Sequence, residues 1–188
     1  MSLRPFLSLL ILLSLPLPLL ADMLPSTTLE SVGHRWTYYT SAPVSLGKAR
    51  PLVLLFHGAG GSGGSFLQRS GWADKAKQEG FIAVAASGLP RDPEASPDFL
   101  LNPRIWNSGR LLFSGPRTAV DDTRFVLDML SDIQLRSQVD AKRIYLLGHS
   151  NGATFVAKLA VTFPQHWAAI GLVQGPTVAT LSRLARRV

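Results

Sequence analysis

The feature that most constrains this chain is a glycine- and serine-containing turn between a predicted strand and a predicted helix. Residues 144–147 (IYLL) form a short apolar run that is typical of a buried strand. Residues 153–163 repeat apolar side chains at helical spacing, and Pro164 ends that pattern. Residues 148–152 (GHSNG) lie between them and fit G-x-S-x-G. In this setting the pattern predicts a nucleophile elbow, a strained turn that projects the hydroxyl of Ser150 above a sheet.

The alternative is a chance match in a chain that contains 16 glycines, because the bare pattern is short. The flanking elements favour the elbow, since Gly148 and Gly152 remove the Cβ atoms that would crowd strand and helix. The amino end of the following helix would also face any anion formed beside Ser150. Ser150 is therefore the candidate nucleophile.

Alternating strand and helix patterns extend along the chain and predict an α/β fold with a mostly parallel sheet. Right-handed crossovers would place helices on both faces of that sheet and the functional loops at the carboxyl ends of its strands. The segment 87–117 has few helical signals, and a loop of that length is usually functional or mobile. We predict strands at Arg35–Thr40 (an edge strand), Leu52–Phe56, Phe81–Ala86, Ile144–Leu147 and Trp167–Gln174, and helices at Trp72–Glu79, Val120–Leu130 and Ala153–Phe163.

A glycine-rich loop, residues 57–64 (HGAGGSGG), follows the predicted strand 52–56 and should face the same cleft as Ser150. A serine nucleophile needs backbone N–H donors for the oxyanion that forms on its substrate. We expect Asn151 to supply one N–H and Ala59 the other, with Gly60 as the alternative to Ala59. A phosphate site is the competing interpretation, but no G-x-G-x-x-G continues here into a helix with a matching acid, and no G-K-[ST] follows.

Composition narrows the functional classes further. The 188 residues suit one domain, and the absence of cysteine excludes disulfides and thiolate metal sites. The net charge of +7 comes from scattered basic residues, apart from a cluster at residues 183–187. No basic face with interleaved aromatic residues is visible, so we expect a solvated basic surface and no nucleic-acid partner. We expect no metal and no cofactor.

Residues 1–21 resemble a secretory signal. Arg4 supplies a positive start, residues 7–20 an apolar core, and Ala21 a small residue suited to cleavage. The apolar run is short for a membrane span and contains Pro16 and Pro18. We therefore expect a mature chain that starts at Asp22 and is secreted or periplasmic, with no stable membrane span. The alternative is an uncleaved anchor, which would make the protein a membrane-held basic binding module.

Four motifs together resemble the polyhydroxybutyrate depolymerase and feruloyl esterase group of secreted α/β-hydrolases. They are residues 57–61 (HGAGG), 120–122 (VDD), 139–145 (VDAKRIY) and 148–152 (GHSNG), and the similarity spans roughly residues 35–175. The resemblance implies hydrolysis of a carboxylic ester, which could be a polyester, a feruloylated or acetylated polysaccharide, or a smaller ester. It also implies Ser150 as nucleophile and the N–H groups of Ala59 and Asn151 as oxyanion donors.

The chain departs from that family pattern after Ser150. The family order is serine, acid, histidine, yet His166 is the only histidine beyond Ser150 and no Asp or Glu follows it. We expect residues 22–188 to form an α/β-hydrolase domain that lacks its C-terminal part. Two hypotheses follow, a serine esterase of ester substrates that include polymers, and a catalytically inactive fragment that only binds ligand.

Other polar and aromatic residues near the motifs have simpler interpretations. We expect Asp121 and Asp122 to open a helix, where negative charge is favourable, and Asp140 to form an Asx-type turn. His57 is expected to be structural. Trp106 could form an aromatic wall of the cleft or anchor the packing of the irregular segment, and the sequence leaves both interpretations open.

Overall fold

A computed structural model describes residues 24–41, 47–109 and 115–175. The predicted signal at residues 1–21 and the basic tail at residues 177–188 lie outside those ranges. The strands are β1 (Ser26–Ser31), β2 (His34–Thr40), β3 (Arg50–Phe56), β4 (Ile82–Ser87), β5 (Leu89–Pro90), β6 (Arg104–Ile105), β7 (Val139–His149) and β8 (Ala169–Val173). The helices are α1 (Gly63–Arg69), α2 (Trp72–Glu79), α3 (Asp122–Arg136) and α4 (Asn151–Thr162), with short 3₁₀ turns at Pro116–Ala119 and Pro164–His166.

Six strands form one mixed sheet in the order β1-β2-β4-β3-β7-β8. The pairs β4–β3, β3–β7 and β7–β8 are parallel, and β1 and β2 add antiparallel pairs at one side. The predicted fold class, a mostly parallel α/β sheet, is thus observed. Because Phe56 lies opposite Gly148 in the β3–β7 pair, the two glycine-rich turns leave the sheet side by side.

The strand predicted at Arg35–Thr40 is observed as β2. Its predicted position at the edge of the sheet was wrong, because β1 pairs outside β2. The sequence of β1, STTLES, contains a single large apolar residue and gives no strand alternation. The neighbouring strand β2 supplies the buried aromatic side chains instead, because Trp36 and Tyr38 are fully buried. A polar outermost strand is a common protection of a sheet edge, and it hides the strand from pattern analysis.

Helices cover both faces of the sheet, as predicted. On one face, α3 and α4 pack Phe125 and Phe155 against the apolar side chains of β2, β3 and β4. On the other face, α1 and α2 pack Leu67 and Ala76 against Val53 and neighbouring residues. The apolar strand β3 is therefore buried from both sides, which explains why its sequence does not alternate.

Two helices differ from the sequence prediction. Helix α1 was not predicted, because its first residues are glycines that disfavour helix. A Cβ on Gly63 would lie 2.4 Å from the carbonyl oxygen of Ala85, so glycine is required where α1 packs on β4. Helix α3 extends six residues beyond the predicted end at Leu130, into a polar segment that an Arg136–Asp132 ion pair at i,i+4 supports. None of the described helices is long and apolar enough to cross a membrane.

Candidate active site

Ser150 occupies the strained turn that the sequence predicts. Its φ of 53° and ψ of −114° lie outside the regions that residues with a side chain usually adopt. The surrounding packing enforces the turn, because a Cβ on Gly148 would lie 2.3 Å from the oxygen of Gly152. A Cβ on Gly152 would lie 2.2 Å from the oxygen of Phe56. Glycine at both positions is therefore a steric requirement of this strand–turn–helix junction.

The side chain of Ser150 is available for chemistry. Ser150 is exposed, and although it precedes α4 as the N-cap residue, its hydroxyl makes no capping hydrogen bond. Its backbone N–H instead donates to the oxygen of Val173 over 2.9 Å, which anchors the turn to β8. A hydroxyl that is held on a fixed, strained backbone and makes no capping hydrogen bond within the described ranges has the geometry of a nucleophile.

The glycine-rich loop lies directly beside this serine. A Cβ on Gly58 would be 3.4 Å from the Cβ of Ser150. The N–H of Gly60 donates to the oxygen of Arg104 over 2.8 Å, and the N–H of Gly61 donates to the oxygen of Gly58 over 3.1 Å. Within the described ranges, the N–H of Ala59 has no backbone acceptor. The geometry therefore favours Ala59 over Gly60 as a donor toward the cleft.

Asn151 follows the nucleophile position and begins α4. Because it is the first residue of the helix, its N–H has no acceptor within that helix. Its side chain is buried, and both of its polar atoms bond to the backbone of Trp106. Two candidate oxyanion donors, the N–H groups of Ala59 and Asn151, thus flank Ser150 from different elements.

The loop also continues into a helix, contrary to the sequence expectation. Residues 58–63 (GAGGSG) fit G-x-G-x-x-G, and α1 starts at Gly63. The acid expected of a dinucleotide site is still missing, since β4 (IAVAAS) ends in Ser87 rather than in a carboxylate. Ser87 instead accepts the N–H of Gly63 over 2.9 Å and fixes the start of α1.

His57 is a structural residue, as predicted. Its Nε2 accepts the N–H of Gly88 over 2.9 Å, so its Nδ1 carries the proton and donates to the oxygen of Gly58 over 2.7 Å. Burial, with a smaller contribution from the charge of nearby Arg104, lowers the pKa of His57 to about 4 against the raising effect of the Gly58 carbonyl. A neutral imidazole with both nitrogens engaged cannot take the proton of Ser150.

The remaining histidine beyond the elbow lies far from it. His166 ends the turn that follows α4, between the rings of Phe163 and Trp167. The 12 residues of α4 separate it from Ser150 by about 18 Å of helix. His149 contacts a different group, since its Nε2 lies 2.8 Å from Oε1 of Gln174. Among the described histidines, none is shown in hydrogen-bonding contact with the Ser150 hydroxyl.

The aspartates have the structural roles expected of them. Asp121 caps α3 by accepting the N–H groups of Thr123 and Arg124, and Asp140 accepts the N–H of Lys142 in an Asx-type turn. Asp122 is fully buried and pairs with buried Arg117. Burial raises the pKa of Asp122, although the Arg117 charge acts in the opposite direction.

Trp106 is a packing anchor rather than an exposed wall. It is fully buried, and it stacks on Phe155 with ring centroids 5.1 Å apart and an interplanar angle of 8°. Phe56 contacts it edge-on at 5.2 Å. Trp106 therefore anchors its part of the irregular segment in the core, next to Asn151 of the elbow.

An apolar rim beside the cleft was missed at the sequence level. We name Phe99, Leu100 and Leu101 the apolar rim, and their side chains are 71%, 81% and 87% exposed. The loop is nevertheless built: the side chain of Asn102 bonds to backbone atoms of residues 92, 95 and 96, and Asp98 accepts the N–H groups of Leu100 and Leu101. A Cβ on Gly60 would lie 2.6 Å from the ring of Phe99, so Phe99 packs against the glycine-rich loop that contains Ala59.

Comparisons with known proteins identify the family and the fold. The family model described as Esterase PHB depolymerase matches residues 36–182. NocK of Nocardia uniformis subsp. tsuyamanensis, a protein provisionally named an esterase, is 30% identical over 131 residues, which cover 70% of this chain and 34% of that protein.

Solved structures share the fold. An acetyl xylan esterase from Aspergillus awamori aligns with a TM-score of 0.57 and 18% identity, over 79% of this chain and 51% of its own. An S-formylglutathione hydrolase from Agrobacterium tumefaciens aligns with a TM-score of 0.62 and 15% identity, over 77% of this chain and 55% of its own. These likenesses confirm the predicted α/β-hydrolase-type fold. The chain spans about a third of the length of the curated relative and about half of each solved structure.

Proposed function

The chain belongs to the Esterase PHB depolymerase family, and on that basis we propose that it is a secreted serine hydrolase of carboxylic esters. The observation that carries the proposal is the strained, exposed Ser150 beside the loop of Gly58 and Ala59. A signal at residues 1–21 and a single domain over residues 22–188 complete the proposal. An intact Met1 on exported protein, measured by mass spectrometry, would contradict the signal.

The proposed reaction begins at the hydroxyl of Ser150. Its Oγ attacks the ester carbonyl carbon, and the N–H groups of Ala59 and Asn151 donate to the oxyanion of the tetrahedral intermediate. Collapse of that intermediate breaks the bond to the alkoxy oxygen, which leaves as the alcohol with the serine proton. Water then cleaves the acyl-serine by the same route and releases the carboxylic acid.

A second candidate function, ligand binding without efficient turnover, is favoured by the absence of a visible base. Within the described ranges His57 has both nitrogens engaged and His166 lies at the far end of α4. Residues 151–188 contain no Asp or Glu. An uncharged serine retains only the oxyanion and binding contributions to rate, which fall orders of magnitude below a complete triad. We therefore expect acylation of Ser150 with slow turnover.

The apolar rim supports a substrate with an extended apolar surface. Phe99 lies against the loop that carries Ala59, and the exposed Leu100 and Leu101 follow it in the chain, so an acyl or polymer chain bound through its ester carbonyl would meet this rim. Polyhydroxyalkanoates are such polymeric esters. Feruloylated and acetylated polysaccharides present a polar chain to the rim, and they rank second on this argument.

A fluorophosphonate probe tests the proposed nucleophile without requiring turnover, because each serine reacts once to give a stable adduct and even a slow reaction accumulates label. We expect stoichiometric labelling that peptide mass spectrometry places on Ser150, together with slow hydrolysis of p-nitrophenyl acetate. The Ser150→Ala variant should lose both signals. Ser131→Ala, which alters a serine on the surface of α3, serves as the matched control and should retain both. Labelling that persists in Ser150→Ala would refute the assignment.

A further inference from the structure

Trp106 is tied to the elbow through Asn151. The backbone N–H of Trp106 donates to Oδ1 of Asn151 over 2.7 Å, and Nδ2 of Asn151 donates back to the oxygen of Trp106 over 3.2 Å. Both bonds are buried. The paired bonds fix the orientation of the first residue of α4, which also carries one proposed oxyanion donor.

The same tryptophan is tied to the glycine-rich loop. Its indole Nε1–H donates to the oxygen of His57 over 3.1 Å in a buried bond. Two residues earlier, the oxygen of Arg104 accepts the N–H of Gly60 over 2.8 Å. These bonds hold the loop on both sides of Ala59, whose N–H is the second proposed donor.

Trp106 itself has little freedom to move. Phe155 of α4 stacks on one side of its ring, Phe56 of β3 meets it edge-on, and its exposed fraction is 0%. The two elements that it bridges are the glycine-rich loop, through His57, and the start of α4, through Asn151. A rigid group bonded to both therefore sets the distance between them.

We propose that Trp106 is a positioning residue that sets the separation of the Ala59 and Asn151 N–H groups. This inference rests on the proposed esterase function. Donors stabilise an oxyanion only when both lie within hydrogen-bond distance of the position it will occupy. Releasing one side of the bridge lets the loop drift, which weakens the transition state while the ground-state binding surface stays in place.

The test compares tryptophans that make equivalent bonds at different sites. Trp106→Phe removes the indole N–H and keeps an aromatic ring between Phe155 and Phe56. Trp167→Phe is the matched control, because the Nε1–H of Trp167 also donates to a backbone oxygen, that of Leu159, over 3.1 Å, and Trp167 follows the far end of α4. The readout is the reaction of Ser150 with a fluorophosphonate, whose phosphoryl oxygen takes the place of the oxyanion, resolved into an inactivation rate constant and a binding constant.

We expect Trp106→Phe to lower the inactivation rate constant roughly tenfold, a fraction of the 10²–10³ lost when a donor is deleted outright. The binding constant should not change, and Trp167→Phe should match the original protein in both. Replacing Trp106 with β-(3-benzothienyl)alanine removes only the N–H and keeps the shape, so it decides the question should the Phe variant fold poorly.

Two results overturn the inference in distinguishable ways. If Trp106 variants melt at a lower temperature but label at the original rate, Trp106 stabilises the fold and does not position the donors. If the original protein shows no labelling of Ser150, the proposed function fails, and the positioning role fails with it.

Discussion

At the scale of single residues, Ser150 and His57 lie on neighbouring turns at the ends of β7 and β3 and have opposite environments. Ser150 is exposed, and its hydroxyl makes no capping hydrogen bond. Its backbone conformation is strained, and the packing around Gly148 and Gly152 enforces it. His57 is buried, and both of its ring nitrogens form hydrogen bonds with the backbone of residues 58 and 88. The imidazole therefore fixes the conformation of the loop and does not accept the proton of Ser150.

The buried, neutral His57 predicts a loss of stability in mild acid. Its folded-state pKa is about 4, chiefly because burial disfavours the charged form, and in the unfolded chain it is about 6.5. Between pH 6.5 and 4, His57 is therefore protonated in the unfolded chain but neutral in the folded protein. The free energy of unfolding falls as the pH decreases through this range. The contribution reaches about 3 kcal/mol at pH 4 relative to pH 7.

Chemical denaturation of the original protein and of His57→Gln at several pH values between 4 and 8 measures this effect. The variant will be less stable at pH 7, because it alters two hydrogen bonds, of which one is buried and the other partly buried. Its stability should nevertheless depend less on pH, and the gap between the two proteins should narrow toward pH 4. Parallel curves for the two proteins would contradict the assignment of a depressed pKa.

At the scale of elements, the exposed apolar rim is the proposed contact surface for a polymeric ester. We expect Leu100→Ser and Leu101→Ser together to weaken adsorption of the Ser150→Ala protein to polyhydroxybutyrate granules by at least tenfold. The reason is that burying a leucine side chain contributes about 1.5–3 kcal/mol, and 1.4 kcal/mol corresponds to a factor of ten. A depletion assay with granules measures the change.

Leu135 provides the matched control for the rim. It is 82% exposed, like the rim leucines, but it lies near the end of α3 rather than beside Phe99 in the rim. Leu135→Ser should leave adsorption unchanged. If Leu135→Ser weakens adsorption as strongly as the rim variant, the granules bind any exposed apolar side chain and the rim has no special role.

Elements whose burial follows their sequence were predictable, and those fixed by single packing contacts were not. Strand β3, helix α2 and the elbow follow apolar periodicity and glycine placement, so their positions agree with the prediction. Helix α1 begins with two glycines because Gly63 must approach Ala85, and β1 carries polar residues because it is the outer strand. The rim and the Trp106 bridge depend on contacts between residues up to 49 positions apart, which no local pattern encodes.

At the scale of the whole molecule, the two edges of the described sheet differ in character. Strand β1 (STTLES) is polar and carries Glu30, which pairs with Arg35 at the surface. Strand β8 (AIGLV) has no charged residue, and within the described ranges it pairs on one side only, with β7. A long apolar edge presents free backbone donors and acceptors to other chains, whereas a charged edge resists such pairing.

We therefore predict that the proposed mature chain, residues 22–188, self-associates through β8. Val173→Lys places a charge on this edge at a side chain that is 47% exposed, so it should shift the protein toward the monomer in size-exclusion chromatography. Leu135→Lys adds the same charge at an exposed leucine away from the edge and should not. A protein that is monomeric without substitution and melts cooperatively in calorimetry would refute the prediction.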